Sequence, residues 1–541
     1  MFRANYNHSQ KGLFESSEWM DPNIRVKLDK SWAPIFYEHV FCQIDEKPFA
    51  VLYSTTGKPN FPINILLSLE YIKDMKDCND LELMDYFYFD YLVNYAVGIR
   101  TLGGMNLAER TIYNFRERVY TYCLENPGSE DLLFGQFIKL LQNFAKEAGL
   151  SLEEQRTDTT FLMSNIKKAG RMSLAYDVLF KAVKAIPTEQ LTRELNEVLE
   201  PKFKTEILYR TSSRDKDSKL TLLLNLCQQA LQILKDLDGK TVSDAVRVTE
   251  RFLSEQSING TDGKKVPKQK KEISSNSLQS AYDEDATFRR KGNEGYSGYV
   301  LEISETCGDK NDFQLITDYA VAANNVSDVE IFQSRLETIR ENTGCTDMYL
   351  DGGFHSEDVD ELAALNGIEL HKTNMSGTEP IKKISLTEYE IDEETNTIHK
   401  CPAGQTPIRT KVTEKQTTAY FSHETCENCP IREQCHIKEQ VKENVIRIDL
   451  KAVNTSRERK RMKENQPENT SKRAGIEGSN SAMKRKGLKK LKVRGKIKST
   501  IACGIKVTVQ NIKRFIKYIR GGYKTKKNTK LQQGIIVPIL Q

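Results

Sequence analysis

Long apolar runs are absent from this sequence. No stretch of about 18 consecutive apolar residues occurs in the 541-residue chain, and the mean hydropathy is −0.56. The chain is therefore predicted to have no membrane-spanning helix. The first residues, MFRANYNHSQKGLFESSEWM, contain no apolar signal core, so a cytoplasmic protein is expected.

Several catalytic arrangements are missing as well. The chain has only 7 His, which does not favour general-base chemistry by histidine. No convincing Ser-His-Asp or Cys-His nucleophile arrangement is present. No complete phosphate-binding Walker loop occurs, so the sequence does not support an ATP-driven mechanism.

Cysteine is present in an odd number, 11, scattered through a long chain. This distribution is unlike the disulfide framework of a small secreted protein. Four of the cysteines cluster: Cys401, Cys426, Cys429 and Cys435. One CxxC pair with two outlying cysteines can form a tetrahedral structural zinc site, with His423 or His436 replacing one thiolate. Reduced cytosolic thiols are the alternative interpretation.

Positive charge is concentrated at the end of the chain. The net charge is only +5, yet the segment from Lys451 onward has 26 Lys and Arg against 4 Asp and Glu. A segment this basic attracts a polyanion such as DNA, with an affinity that depends on salt. A solvated lysine-rich tail is the alternative, but apolar residues alternate with the bases, which favours a folded segment.

The N-terminal part of the chain, up to about residue 148, has helical patterning. Three helices are predicted over FPINILLSLEYIKDM, over LELMDYFYFD with Asn79 or Asp80 as its cap, and over LAERTIYNFRERVYTYC. The third helix has an inward apolar face (Ile112, Phe115, Val119) and outward bases (Arg110, Arg116, Arg118). Short helices with a basic last member suit a helix-turn-helix-like DNA-binding module. A plain helical bundle fits the pattern equally well.

Three acids then occur in distinct settings. Asp158 lies in the predicted strand TDTTFLMSNI, and Asp351 follows the predicted strand TDMYLDGG at a Gly-Gly turn. Glu477 lies on a basic helix predicted to start after about residue 470, between Arg473 and Lys484. The spacing i, i+4, i+11 places these last three side chains on one helical face. Three separated carboxylates are what a two-metal phosphodiester site requires, and the two bases can hold the substrate phosphate.

Other acids compete for the same role. Asp283 and Asp285, in DEDATFRRKG, precede a strand and are interpreted as a turn or a substrate-side contact. Asp318, in LITDYA, is interpreted as structural. Between residues 257 and 280 a polar stretch is predicted to be a linker or mobile loop.

These segments, in this order, resemble the DDE-type transposases of bacterial insertion sequences. DTTFLMSNI resembles the segment with the first catalytic Asp, YLDGGFHSEDV that with the second, and RAGIEGSNSAMKRKGLKKLKVRGKIK the helix with the catalytic Glu. The related signature is Tyr-x2-Arg-x3-Glu-x6-Lys. The chain matches it at Arg473, Glu477 and Lys484 but has Thr470 at the Tyr position.

The resemblance implies an α/β fold: a ribonuclease-H-like catalytic core with a long helical insertion and a Cys-containing insertion, preceded by an all-α N-terminal domain. The expected segments are residues 1–148 for the DNA-binding domain and 149–376 for the first part of the core, with a helical insertion at about 170–290. Residues 377–450 are the Cys-containing insertion, and 451–541 the basic part of the core with the Glu helix.

The implied function is a DNA transposase that cleaves at the ends of an insertion sequence and joins the freed 3′-hydroxyl to target DNA. Asp158, Asp351 and Glu477 would hold two Mg²⁺ (or Mn²⁺) ions, and Arg473, Lys484, Arg110, Arg116 and Arg118 would contact DNA. The expected partners are double-stranded DNA and a second copy of the chain, in a bacterial cytoplasm and at the nucleoid when DNA-bound. The alternatives are a catalytically silent DNA-binding protein and a metal-dependent nuclease of the same fold.

Overall fold

The computed structural model describes residues 1–9, 15–127, 132–167, 170–212, 214–260, 263–354, 356–373 and 383–522. The chain folds into two compact units. Unit 1 comprises Met1–Glu153, Asp158–Gly344 and the chain from Glu477 onward, and unit 2 comprises Glu154–Thr157 and Cys345–Ile476. Neither unit is one continuous segment of the chain. The units therefore do not test the four segments expected from the sequence, and the boundaries of those segments stay predictions.

Unit 1 begins with seven helices: α1 (Pro22–Asp29), α2 (Trp32–His39), α3 (Ile63–Lys76), α4 (Asp80–Phe89), α5 (Tyr91–Ala96), α6 (Glu109–Glu125) and α7 (Leu132–Ala148). The predicted cap of α4 is confirmed: Asn79 and Glu82 form a capping box. Helix α6 buries the predicted apolar face. Local sequence signals therefore define these helices well.

A strand and a helical group follow. They are β1 (Glu154–Met163), α8 (Arg171–Lys184), α9 (Arg193–Glu197), α10 (Pro201–Leu208), α11 (Lys216–Leu234), α12 (Lys240–Gln256), β2 (Ser257–Asn259) and β3 (Lys265–Pro267). Helices α8, α11 and α12 pack around a core of Leu, Val and Ala side chains. The prediction of a linker after α12 was wrong in part, because β2 and β3 pair as an antiparallel hairpin that packs on α11.

The next part of unit 1 contains β4 (Thr287–Lys291), β5 (Glu294–Thr306), β6 (Ile316–Ala323) and α13 (Asp328–Thr343). Strand β5 pairs antiparallel with β4 and β6 and is next to β1. Gly298 of β5 has φ +151°, and a Cβ there would lie 2.4 Å from the Leu162 carbonyl oxygen. Glycine is therefore required where β5 approaches the end of β1.

The described strands of unit 2 form three groups. The elements are β7 (Asp347–Leu350), α14 (Glu357–Leu365), β8 (Glu369–Lys372), β9 (Glu390–Ile391), β10 (Ile398–Lys400), β11 (Arg409–Val412), β12 (Gln416–Phe421), α15 (His423–Glu427), β13 (Ile437–Glu439), β14 (Asn444–Asp449) and α16 (Leu450–Met483). The three groups are β7 with β8, β9 with β10, and β11 to β14. The first residues of β1 pair parallel with β7, and β7 pairs parallel with β8. Strands β11, β12, β14 and β13 form an antiparallel sheet in that order.

Helix α16 begins at Leu450, well before the predicted start at about residue 470, and has Pro467 inside it. The chain passes from unit 2 to unit 1 within this helix. A kink at Lys484–Leu488 follows, in which Lys486 and Gly487 leave helical geometry and Gly487, with φ +87°, turns the chain. The last described helix, α17 (Lys496–Ile519), packs against α3, α7 and β6 of unit 1.

The α/β class predicted from the sequence agrees with this mixture of helices and of parallel and antiparallel strands. None of the helices that the structure describes combines the length and hydropathy needed to cross a bilayer.

Candidate active site

Asp158 lies in the middle of β1, on a strand whose side chains alternate between buried and partly exposed positions. Its neighbour Thr157 is fully buried, whereas Asp158 is partly exposed. The Nδ2 of Asn480, on α16, donates a hydrogen bond to Oδ2 of Asp158 over 3.2 Å. Within unit 1, the strand carboxylate therefore contacts the helix that bears Glu477.

Glu477, Asn480 and Lys484 follow one another at i, i+3 and i+7, which places them along one face of the helix and its extension. Glu477 is exposed, and Asn480 is only 5% exposed. Since Asn480 contacts Asp158, Glu477 lies one helical turn from the residue that touches the first acid. The structure thus brings Asp158 to the helical face of Glu477.

The ammonium group of Lys484 interacts electrostatically with the Asp158 carboxylate. Partial burial, together with the charges of Lys291 and Lys489, lowers the pKa of Lys484, and the Asp158 carboxylate acts in the opposite direction. Much of the Lys484 side chain is nevertheless exposed to solvent. A cationic group beside the strand acid and open to solvent is suitably placed for a phosphate.

A buried ion pair orients this helix. The Ser479 hydroxyl donates to Oε2 of Glu305 over 2.6 Å, and the Arg514 guanidinium donates both to Glu305 and to Ser479. Glu305 is 0% exposed. Because Ser479 lies between Glu477 and Asn480, this network fixes the rotation of the helix about its axis.

The end of β1 is held by the chain that follows the helix. Met163 donates its N–H to the Lys489 carbonyl and accepts from the N–H of Leu491. Through these bonds Met163 pairs with Lys490 in a parallel β-bridge, so the end of β1 is joined to the segment that follows the kink. The strand with Asp158 and the helix with Glu477 are therefore tied together at the backbone as well as through Asn480.

Asp351, in unit 2, directly follows β7 in the predicted setting. Its Oδ1 accepts the N–H of Gly353, and its Oδ2 lies 3.7 Å from Nη2 of Arg473. A Cβ at position 353 would lie 2.9 Å from that same Oδ1. The second glycine of the DGG turn thus allows the close approach of its amide, and Arg473 neutralises the carboxylate.

A second glycine contact explains part of the RAGIEG motif. Arg156 of β1 donates to the Lys472 carbonyl over 2.6 Å, and a Cβ on Gly475 would collide with the Arg156 guanidinium. Burial disfavours the charged form of Lys472, but its hydrogen bonds to Glu154 and to the Tyr349 hydroxyl outweigh burial and raise its pKa. Gly475 therefore serves packing between β1 and α16 within unit 2.

A group of potential ligands that the sequence analysis missed lies at the start of β7 and on β8. Donor atoms of Asp347, Glu369 and His371 lie within 4.8 Å of one another. Burial disfavours ionisation of Asp347, but hydrogen bonds from His371 and Thr346 outweigh it and lower its pKa. The alternation of Glu369 and His371 on one strand face was the available signal. The hydrogen bonds of Asp347 with His371 and Thr346 account for this cluster without a metal ion. Asp347 and Asp351 are four residues apart, which is about 13 Å along an extended chain, so the cluster is separate from Asp351.

The three rival acids have structural surroundings in unit 1. Asp283 is 2% exposed and accepts hydrogen bonds from the hydroxyls of Ser164 and Tyr299. Asp285 accepts the N–H of Lys496, the first residue of α17, and so caps that helix. Asp318, 2% exposed, forms a two-bond ion pair with Arg335.

The three arginines of α6 differ from one another. Arg110 and Arg118 are exposed, and Arg118 donates to the Leu52 carbonyl. The expectation that Arg116 points outward was wrong: its guanidinium donates to Glu70 and, through two bonds, to Asp80. Arg116 therefore forms ion pairs with one acid on α3 and one on α4, and these pairs link α6 to both helices.

The four clustered cysteines of unit 2 line one small cavity. The two histidines considered as alternative ligands do not line this cavity. Nε2 of His436 lies 3.0 Å from the Ile384 carbonyl oxygen, and His423 is exposed.

A family model described as a transposase DDE domain matches residues 400–516. The match includes Arg473, Glu477 and Lys484 and covers less than a quarter of the chain. It confirms the resemblance to DDE-type transposases that the sequence motifs indicate. No curated protein and no solved structure matches the chain.

Proposed function

We propose that this protein is a DNA transposase that binds the ends of an insertion sequence, cleaves phosphodiester bonds there and joins the 3′-hydroxyl to target DNA. The observation that supports it most is the contact of Asp158 with Asn480, on the helical face of Glu477. That helix lies in the part of the chain that matches the DDE domain. A strand acid in contact with the helix that bears the Glu agrees with the setting that the resemblance implies for two of the three catalytic carboxylates.

We further propose a ribonuclease-H-like catalytic core. The implied fold places the first Asp on the first strand, the second at the end of a later strand and the Glu on a helix. Asp158 on β1, Asp351 after β7 and Glu477 on α16 have these settings. The helices α8 to α12 and the strands β9 to β14 are then the helical and the Cys-containing insertions.

The residues present fit a hard divalent cation. Mg²⁺ and Mn²⁺ prefer oxygen ligands from carboxylates and amides. Beside Asp158, the buried Oδ1 of Asn480 makes no hydrogen bond within the described part of the chain. Asp158 and Glu477 of unit 1 would hold the ions, and the assignment of Asp351 as the third ligand rests on the motif alone. When bound, two such ions activate the attacking hydroxyl and stabilise the leaving oxygen.

The surrounding side chains would position the acids and the substrate. Asn480 fixes the orientation of the Asp158 carboxylate by its hydrogen bond. The Ser479–Glu305–Arg514 network holds the helix so that Glu477 faces outward. Lys484 and Arg473 would bind phosphate oxygens near the cut, as charge-assisted hydrogen bonds do.

DNA would be held largely through its backbone. The basic segment from Lys451 onward would give a strong salt dependence of binding. Since two element ends must be brought together, a homodimer on DNA is the proposed assembly.

Two alternatives remain open to experiment: a nuclease that cuts without joining, and a silent DNA-binding protein. The test uses purified protein, labelled DNA with the ends of the flanking element, and Mg²⁺, Mn²⁺ or EDTA. Metal-dependent nicking at the ends and joined target products are expected. Nicking without joined products would indicate the nuclease, and end binding without any cleavage would indicate the silent protein.

The site residues are tested with Glu477→Gln, which keeps the shape of the side chain and removes its charge. Cleavage is expected to fall about a thousandfold or more, since a lost metal ligand removes several kcal/mol of transition-state stabilisation, while end binding is retained. Glu464→Gln, an exposed residue of the same helix, is the matched control. Wild-type-like cleavage by Glu477→Gln would remove Glu477 from the site.

A further inference from the structure

Four cysteines from three separate turns of unit 2 converge on one cavity. Cys401 follows β10, Cys426 lies on the short helix α15, Cys429 follows that helix, and Cys435 precedes β13. All four line the same small cavity beside Phe421, Ile437 and Ile446. Cys426 and Cys435 are 8% and 7% exposed. Residues up to 34 positions apart along the chain thus line one cavity, and the Sγ of Cys435 also lies 3.4 Å from the Tyr389 hydroxyl.

The backbone at these cysteines has the form of tight turns. The N–H of Gly404 donates to the Cys401 carbonyl, and Gly404 has φ +77°, which favours glycine. The N–H of Cys429 likewise donates to the Cys426 carbonyl. Such turns let thiols three positions apart, as in Cys426 and Cys429, point to the same side, and the spacing C-x2-C is typical of structural zinc sites.

The surrounding core is small. The strands β9 to β14 are two to six residues long. The hydrophobic cluster around the cysteines contains nine buried residues, and two of these are Cys426 and Cys435. A layer of short strands with so little apolar burial needs a cross-link, and a structural metal is one of the usual solutions.

Two observations define the proposed ligand set. Neither His423 nor His436 is among the residues that line the cavity, so the cavity offers sulfur rather than imidazole. Among the residues described, Asp347, Glu369 and His371 are the only group of three or more His, Cys, Asp or Glu residues whose donor atoms lie mutually within 4.8 Å, so the four sulfurs are more widely spaced. A tetrahedral site with Zn–S bonds of about 2.3 Å has sulfurs about 3.8 Å apart, so the turns would draw closer together on binding.

We propose that Cys401, Cys426, Cys429 and Cys435 bind one structural zinc ion as four thiolates. Each thiol releases its proton to solvent as its Zn–S bond forms, and no electron is transferred. The ion would hold the three turns together and stabilise the strands β9 to β14. Buried thiols that merely fill space are the competing explanation, because free cysteine packs as a small hydrophobic residue. The proposal is independent of the carboxylate site and of transposition.

The test measures zinc in the full-length protein, purified under reducing conditions and without DNA, by mass spectrometry of the metal. About one zinc per chain is expected, released when the thiols are titrated with an organomercurial. Cys401→Ser and Cys429→Ser should each lose most of it. Cys42→Ser, at an exposed cysteine of unit 1, is the matched control and should keep it. Zinc content unchanged in both site variants would overturn the proposal.

A measurement on the wild-type chain covers the case in which the site variants do not fold. Replacement of zinc by Co²⁺ should give the visible absorption of a tetrahedral thiolate complex, and removal of the metal should lower the thermal midpoint. Native, folded protein without metal, in which all four thiols react freely with an alkylating agent, would also overturn the proposal. Disulfides among these four cysteines, found by peptide mass spectrometry, would do the same.

Discussion

Two pairs of acids in unit 1, Glu305 with Asp318 and Asp158 with Glu477, differ in burial and in partners. Glu305 and Asp318 are 0% and 2% exposed, and each faces an arginine, Arg514 or Arg335. Asp158 and Glu477 are more exposed, and Asp158 is contacted by the neutral amide of Asn480. The arginines offset the desolvation of the two buried acids, whereas the two acids proposed as metal ligands must remain able to receive a cation. Substitutions in the first pair of acids should therefore affect stability, and those in the second pair activity.

The largest expected effect on stability is at the buried pair. Arg514→Met removes the guanidinium that faces Glu305, and unfolding in urea should show a loss of about 3–5 kcal/mol. The double variant Arg514→Met, Glu305→Met should recover much of this loss, because no carboxylate is then buried. Arg520→Met, at an exposed position at the end of α17, is the control. A loss below about 1 kcal/mol in the single variant would show that Glu305 is not held by this pair.

A smaller effect is expected at Asp80, whose burial is intermediate. Hydrogen bonds from Arg116 outweigh burial and, with Lys73, lower the pKa of Asp80. The contribution of Asp80 to the free energy of unfolding is complete above the ordinary carboxyl pKa of about 4. This contribution is lost as the pH falls through the lower pKa of the folded state. Asp80→Asn should cost about 1–2 kcal/mol at pH 7, and the difference from wild type should shrink in acid.

Unfolding in urea between pH 7 and pH 2 measures this difference. Asp85→Asn, an exposed aspartate of the same helix, should behave like wild type at every pH. A pH-independent difference between Asp80→Asn and wild type would show that the ion pair with Arg116 does not carry the effect.

The smallest effect on stability is expected at Lys484, and there the effect should be on DNA. Lys484→Ala should leave the unfolding free energy nearly unchanged and reduce the slope of log affinity against log salt by about one unit. Cleavage of fully bound DNA should also slow, because this cation lies beside Asp158. Lys460→Ala, exposed on α16, should not slow it. Normal cleavage and an unchanged salt slope in Lys484→Ala would contradict the phosphate role.

Local sequence signals were sufficient for the elements that bear the three acids. Strand alternation around Asp158, the DGG turn after β7 and the helical spacing of Arg473, Glu477 and Lys484 depend on neighbours within a few positions. They agree with β1, β7 and α16. The start of α16 was placed too late, because its first half is largely polar and Pro467, near its middle, ordinarily disfavours a helix interior.

The residues that support these acids could not be predicted in the same way. The bond from Ser479 to Glu305 joins positions 174 apart, and that from Asn480 to Asp158 joins positions 322 apart. Arg116 was misjudged for the same reason, since helical periodicity says which face a side chain is on but not that Glu70 and Asp80 lie opposite.

The sequence by itself therefore determined the α/β class, the settings of Asp158, Asp351 and Glu477, and the resemblance to DDE-type transposases, because each depends on short-range pattern. Only the tertiary structure decided which side chains contact these acids and which distant residues come together. It placed Asn480 against Asp158, used Arg514 to neutralise Glu305, and gathered four cysteines around one cavity. Such contacts form when distant segments bury surface together, and a one-dimensional pattern does not record which segments will meet.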